Sequence, residues 1–349
     1  MAKKVRVWFN RWFSVAYLYM NHIRNNPDGV EFEFYGTHPD RNSMALQNCD
    51  YAEVEPVLEG LEYVEYCVDF CRRHQIDVFI PRLKMLDIAR HIHLFDEVGT
   101  KVTVCRDIEL LESMIDKDKF YELVRESDVM VVPEYRVVNT AEQFKAAYEE
   151  LASLGHRVCF KPTNSEGGQG FRIINNDRDQ VMDLFGTINP YVTFDRVYDI
   201  LSGVDQFPNM MVMELLEGSE YSIDCLADPN GKLIAAVPRR KGNGRMRYLE
   251  DNQELIEIAH KVAEAYRIPF NYNIQMRYKN GVPKLLEINP RMSGGLHVSC
   301  LNGTNYPYLA VKLALGGHVE PLETKLGITA SHIEQPMIMK DVIQAETVR

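Results

Sequence analysis

The stretch Leu286-Glu287-Ile288-Asn289-Pro290-Arg291, read with Asn273-Ile274-Gln275 upstream of it, carries most of what the chain declares about itself. Leu285, Leu286 and Ile288 give the segment an apolar side. Glu287, Asn289 and Arg291 alternate, so in a regular strand they share one face. Asn280-Gly281, between the two segments, is a hairpin signal. If Asn280–Val282 form a three-residue loop, residue 275 stands opposite 287 and Gln275 joins the polar face. A two-residue loop at Asn280-Gly281 pairs 275 with 286 instead and splits the set. Gln, Glu and Asn supply the hard oxygen ligands that Mg2+ prefers, in a site completed by phosphate and water. An arginine beside them suits charge on a transferring phosphoryl group.

Three upstream segments fit the same chemistry. Phe160-Lys161-Pro162 leads into Asn164-Ser165-Glu166-Gly167-Gly168-Gln169-Gly170. A lysine at a strand end followed by a Gly-rich turn sets an ammonium and backbone N–H groups around a polyphosphate. In Asp116-Lys117-Asp118-Lys119-Phe120 a lysine sits at a helix start, where the dipole disfavours it unless it has a partner such as phosphate. In Met213-Glu214-Leu215-Leu216-Glu217-Gly218-Ser219-Glu220 a strand end offers backbone groups to an adenine edge and acids to a ribose diol. The commoner phosphate motifs are absent. There is no G-x-x-x-x-G-K-[ST], and Gly242-Asn243-Gly244 lacks a third glycine, which disfavours a P-loop NTPase and a dinucleotide dehydrogenase.

Further out, the first hundred residues alternate strand-like runs with amphipathic stretches. Strands are expected over Val5–Phe9, Glu31–Tyr35, Asp77–Pro81 and Lys101–Cys105, and helices over Tyr17–Arg24 and Leu61–Arg73. This alternation implies a parallel sheet covered on both faces, with ligands at the carboxyl ends of its strands. One helical stretch is expected over Asp107–Ser127, a helix opened by Thr140 over Thr140–Leu154, and a helix–loop connection over 186–211. A β-rich block and the helix Leu255–Tyr266 lead into the hairpin.

The chain has 349 residues, enough for two or three domains. Its net charge of -11 disfavours nucleic acid as a partner, because phosphate-backbone binding needs clustered Lys and Arg. No apolar run approaches the ~20 residues that span a bilayer, and the opening Met1-Ala2-Lys3-Lys4 has no apolar leader, so a cytoplasmic protein is expected. The seven cysteines are odd in number and scattered, and Cys67 and Cys71 lack a second pair for zinc. They read as reduced, buried thiols.

In this order the four segments resemble the ATP-grasp superfamily, in its carbamoyl-phosphate synthase and biotin carboxylase branch. The resemblance runs from about residue 113 to 315, and residues 1–112 are similar to the preceding domain of those enzymes. It implies an α/β fold, an N-terminal parallel-sheet domain (1–112) ahead of a two-subdomain α+β ATP-grasp fold (linker and lid 113–212, metal-bearing part 213–349). Lys117, with Lys119 as the lesser choice, and Lys161 would hold the phosphates. Gly167, Gly168 and Gly170 would form a lid. Glu214 and the backbone of Leu215 and Leu216 would meet adenine, and Glu220 the ribose. Gln275, Glu287 and Asn289 would bind two Mg2+ ions, for which Mn2+ may substitute, and Arg291 would serve catalysis. Arg239, Arg240 and Lys241 are expected to reach phosphate or a carboxylate.

The resemblance thus implies an ADP-forming ligase that activates a small carboxylate with ATP and joins it to an amine. A kinase of a small hydroxyl substrate and a catalytically lapsed nucleotide-binding regulator are the alternatives. The chain departs from the better-known members in having one ATP-grasp unit, no glutaminase domain, and Phe9-Asn10-Arg11-Trp12-Phe13 in place of a Gly-rich first loop. His297, Cys300 and Asn302 follow the metal strand, His297 reading as a packed core histidine, and Ser293-Gly294-Gly295 is a candidate lining of the acyl pocket. Oligomeric state is left open by the sequence.

Overall fold

The computed structural model describes residues 4–341 apart from 165–167, 180, 182–184 and 186–188. Two compact units emerge: unit 1 comprises 1–112, 220–275 and 288–349, and unit 2 comprises 113–219 and 276–287.

Unit 1 begins with a five-stranded parallel sheet, ordered β3-β2-β1-β4-β5. Its strands are β1 (Val5–Asn10), β2 (Phe32–His38), β3 (Tyr51–Val54), β4 (Val78–Ile80) and β5 (Lys101–Val102). The expected strands and both helices form, the helices as Ala16–Arg24 and Gly60–His74. β3 was not anticipated, because at four residues with only Ala52 buried it carries almost no apolar signal. Trp8 is sandwiched between Phe70 at 4.4 Å and Phe79 at 4.0 Å, which fixes the helix Gly60–His74 on one face. On the other, Phe9, Trp12, Tyr19 and Met20 merge into a core with Leu226, Val237, Leu296, Tyr306 and Val311. The first loop is held by Trp12, whose indole N–H donates to the Ile80 carbonyl at 2.9 Å.

Unit 2 holds the sheet β6-β10-β7-β8-β9, made of β6 (Tyr135–Val138), β7 (Val158–Pro162), β8 (Arg172–Ile174), β9 (Tyr191–Val192) and β10 (Met210–Glu214). Its core is Phe144, Leu151, Val158, Phe160, Ile174, Val197 and Val212. Thr140 caps the helix Ala141–Ser153 by accepting from the Gln143 N–H at 3.3 Å. The single helical stretch expected over 107–127 is two helices, Ile108–Ile115 and Lys117–Ser127, broken at Asp116, whose φ of -93° and ψ of 100° are extended. That break places Lys117 in the first turn of the second helix.

The remaining strands are β11 (Glu220–Ala227), β12 (Leu233–Lys241), β13 (Arg247–Leu249), β14 (Phe270–Lys279), β15 (Val282–Asn289) and β16 (Ile328–Ala330), in the sheet order β15-β14-β11-β12-β13-β16. The β14–β15 loop is the two-residue one, Asn280-Gly281, with φ of 52° and 81°, as a type I′ turn requires. Among the described residues no helix is long and apolar enough to cross a membrane.

Candidate nucleotide and metal site

In unit 2 the helix Lys117–Ser127 and the strands β7, β10 and β15 bring several of the expected residues together. Lys117 Nζ lies 3.6 Å from Glu287 Oε2, although both side chains are largely buried. Lys161 Nζ donates to the Leu286 carbonyl at 3.4 Å and stands 5.7 Å above the Tyr121 ring. Burial and the nearby Lys117 charge push the Lys161 ammonium down to about 8, against the pull of Glu287. Two ammonium groups and one carboxylate therefore share a poorly hydrated corner.

Tyr121 went unnoticed in the sequence, although it lies four residues after Lys117 and so on the same helix face. Its hydroxyl is within 2.8 Å of the Leu285 carbonyl and 3.0 Å of the Leu286 carbonyl. Successive carbonyls of a regular strand point opposite ways, so their convergence marks an irregularity in β15. The burial pattern changes phase at the same place. Pro283 and Leu285 are buried, Leu286 and Glu287 are both half-buried, and Ile288 is buried again. One extra residue in a strand produces such a slip.

The Gly-rich turn follows Lys161-Pro162 directly. Gly168 and Gly170 have φ of 77° and 73°, and a Cβ on Gly170 would come within 2.7 Å of the Pro162 ring, so glycine is required there. Gly167 lies outside the described residues. Glu214 ends β10 with a fully buried side chain. Its carboxylate takes Lys279 Nζ at 2.6 Å, Lys284 Nζ and the Glu134 N–H at 2.9 Å. Burial acts to raise its pKa, but these three hydrogen bonds win and hold it below the usual carboxylate range. The side chain is thus committed inside the unit. The Leu215 N–H is also spent, on the Arg157 carbonyl at 2.7 Å. Leu216 is buried beside it. Nothing in the sequence marked Lys279 and Lys284 as partners, because the pairing depends on the hairpin being closed.

Unit 1 holds the other expected residues. Gln275 and Asn289 are half-buried on β14 and β15. Arg291 follows the strand and donates from Nη1 to the Met292 carbonyl at 3.3 Å. Glu220 opens β11 and meets Lys241 Nζ at 3.4 Å. Arg239 is buried, and two of its nitrogens are occupied. Nε and Nη2 donate to Asp224 Oδ2 at 3.1 and 3.0 Å, and Nη2 also reaches Ser293 Oγ at 3.2 Å. Asp224 accepts in addition from Ser293, Ser299 and Asn273 at 2.6, 2.6 and 2.9 Å. A buried ion pair of this kind is tolerated because every lone pair is used. Its signal in the sequence was a single acid in the otherwise apolar Ile223–Ala227 run.

Residues 206–336 match the family model described as ATP-grasp in the biosynthetic pathway with Ter operon. That match makes these residues similar to an ATP-grasp domain. Among curated proteins it is 21% identical over 314 residues to the carbamoyl phosphate synthase large chain of Methanothermobacter thermautotrophicus, covering 86% of this chain and 28% of that one. In fold it is similar to N5-carboxyaminoimidazole ribonucleotide synthetase from Thermotoga maritima, with a TM-score of 0.64 and 18% identity over 93% of this chain and 79% of the other. It is also similar to the biotin carboxylase–ATP-analogue complex from Campylobacter jejuni, with a TM-score of 0.62 and 14% identity over 93% and 74% of the two chains. The chain spans little more than a quarter of the length of the curated relatives it matches, 28% and 26% for the first two.

Proposed function

We propose that the chain is an ADP-forming ligase that uses ATP to activate a small carboxylate as its acyl phosphate and then joins it to an amine. The observation that carries this reading is the cluster of Lys117 and Lys161 around Glu287, the acid of the Glu287-Ile288-Asn289-Pro290-Arg291 run, in an ATP-grasp chain. Two ammonium groups side by side in a corner of low hydration suit the oxygens of a polyphosphate. The names of the relatives, carbamoyl phosphate synthase, N5-carboxyaminoimidazole ribonucleotide synthetase and biotin carboxylase, support the same class of reaction.

In this reading a carboxylate oxygen attacks the γ-phosphorus of ATP, the bond to the β-phosphate oxygen breaks, and ADP leaves. An amine then attacks the acyl carbon, phosphate departs, and the nitrogen gives up a proton. Lys117 and Lys161 hold phosphate oxygens, and Arg291 stabilises charge on the transferring group. The Glu214–Leu216 strand end contributes backbone to adenine, and Glu220 binds the ribose. The loop through Gly168 and Gly170 covers the phosphates, excluding water. Gln275, Glu287 and Asn289 would be the oxygen donors for two Mg2+ ions, which would supply neutralisation of the phosphate charge. The donor set fits a hard cation. Residues 1–112 act as the domain preceding the nucleotide fold, 113–212 as linker and lid, and 213–349 as the metal-bearing part of a cytoplasmic enzyme.

Hydroxylamine trapping tests the reading. With Mg-ATP and pooled carboxylic acids, mass spectrometry should find a hydroxamate formed in step with ADP. A stable phosphoester with no hydroxamate, even when amines are supplied, would replace the ligase with a kinase.

A further inference from the structure

Unit 1 gathers cations beside Arg291 that the reaction above does not use. On β12 and β13, Lys241 stands directly opposite Arg247, and Arg239 lies two residues along the same face. Like charges facing one another across a ladder are destabilising unless an anion joins them. Among the described residues Arg247 has no carboxylate within salt-bridge distance. It donates to the carbonyls of Gly244 and Met246 at 3.4 and 2.7 Å. Asp224 is spent on Arg239, Glu220 on Lys241, and Glu334 on Arg245.

Two histidines complete the group. β13 pairs with β16, Arg247 facing Ala330, and His332 lies two residues beyond. His297, on the short helix after Arg291, has its Nε2 3.4 Å from His332 Nδ1, while its own Nδ1 is buried without a hydrogen-bond partner. Burial and the charges of neighbouring cations lower the pKa of both rings, with Arg239 acting on each and Arg247 and Arg245 on His332. Arg239 Nη2 reaches Ser293 Oγ at 3.2 Å, two residues beyond Arg291 in the chain, which ties the cluster to the segment that carries Arg291.

We propose that Arg247, His297 and His332 bind a second anionic group of the acyl substrate, so that the acid activated here is at least a dianion, either a dicarboxylate or a phosphorylated carboxylate. This rests on the reading of the chain as a carboxylate-activating enzyme and narrows its substrate class. The second anion gives Arg247, which has no carboxylate within salt-bridge distance among the described residues, and the orphaned His297 nitrogen a partner. Charge-assisted hydrogen bonds of this kind discriminate strongly against a ligand that lacks the group.

The test is nucleotide-free binding to the full chain by calorimetry at constant ionic strength. Succinate, malate and 3-phosphoglycerate are each compared with the monoanions propionate, lactate and glycerate. The dianions should bind at least about ten-fold more tightly. The gap should close in Arg247→Met and His332→Gln and persist in part in Arg247→Lys, with circular dichroism confirming that each variant is folded. Which dianion leads separates a carboxylate from a phosphate as the second group. Equal affinities, or a gap that survives Arg247→Met, would overturn the proposal. Dianion selectivity without any hydroxamate would retain the site and discard the ligase reading. A hydroxamate formed from a monoacid with no dianion preference would do the reverse.

Discussion

Glu214 and Glu287 lie in the same unit, and each has two lysines nearby, yet the two carboxylates are held in opposite ways. Glu214 is sealed, with Lys279 at 2.6 Å, Lys284 and a backbone N–H saturating its oxygens. Glu287 has Lys117 at 3.6 Å, while Lys161 acts on it through charge and bonds to a carbonyl instead. A saturated buried carboxylate is a structural element, since opening it costs the desolvation of every partner. The Glu287 side chain is 23% exposed where that of Glu214 is fully buried. Proximity of acid and base does not separate structure from function here; burial does.

The comparison can be broken most sharply at Glu287. Glu287→Gln should lower turnover by a factor of about a thousand or more, the scale of removing one electrostatic group at a phosphoryl-transfer centre. Its melting temperature should stay close to that of the parent, and nucleotide binding should survive in part. Steady-state ADP release and a thermal scan on the same sample decide the point, and retained turnover removes Glu287 from the site.

Glu214→Gln should show the converse. Leaving two buried lysines without their acid is expected to cost about 3 kcal/mol of stability. A urea titration would reveal this as a lower midpoint at unchanged slope. If Glu214→Gln is as stable as the parent, the two carboxylates are not distinguished as described.

The smallest effect concerns Lys161. Its folded-state pKa of about 8 lies below that of a free lysine, so between pH 8 and the ordinary lysine range the unfolded chain holds more protons. Stability should therefore rise with pH through that window, on the order of 1 kcal/mol, the charging penalty being fully present below it. Urea midpoints at about pH 7.5 and 9.5 would show the rise in the parent and its absence in Lys161→Met. A rise that persists in the variant assigns the titration to another group.

Much of the fold was legible because it rests on periodic burial. The parallel βα alternation, the Thr140 cap and the Asn280-Gly281 turn each follow from residues adjacent in sequence. Features that depend on one residue were missed. The break at Asp116 interrupts an otherwise continuous helical pattern, and β3 is too short to show a period. Lys117, Lys161 and Glu287 were legible as separate candidates, whereas Lys279, Lys284, Tyr121 and Asp224 were not. Their roles come from partners brought near by strand pairing.

By itself the sequence determined the class of fold and offered the candidate motif residues, because apolar period, turn chemistry and motif spacing are local properties of the chain. Only the tertiary structure decided which charges are spent and which are available. Arg239 and Glu214 turned inward, Lys117 came to lie beside Glu287, and Arg247 came to face Lys241. The reason is physical: the state of a charge depends on its burial and on every donor and acceptor within a few ångströms, and those neighbours come from distant parts of the chain.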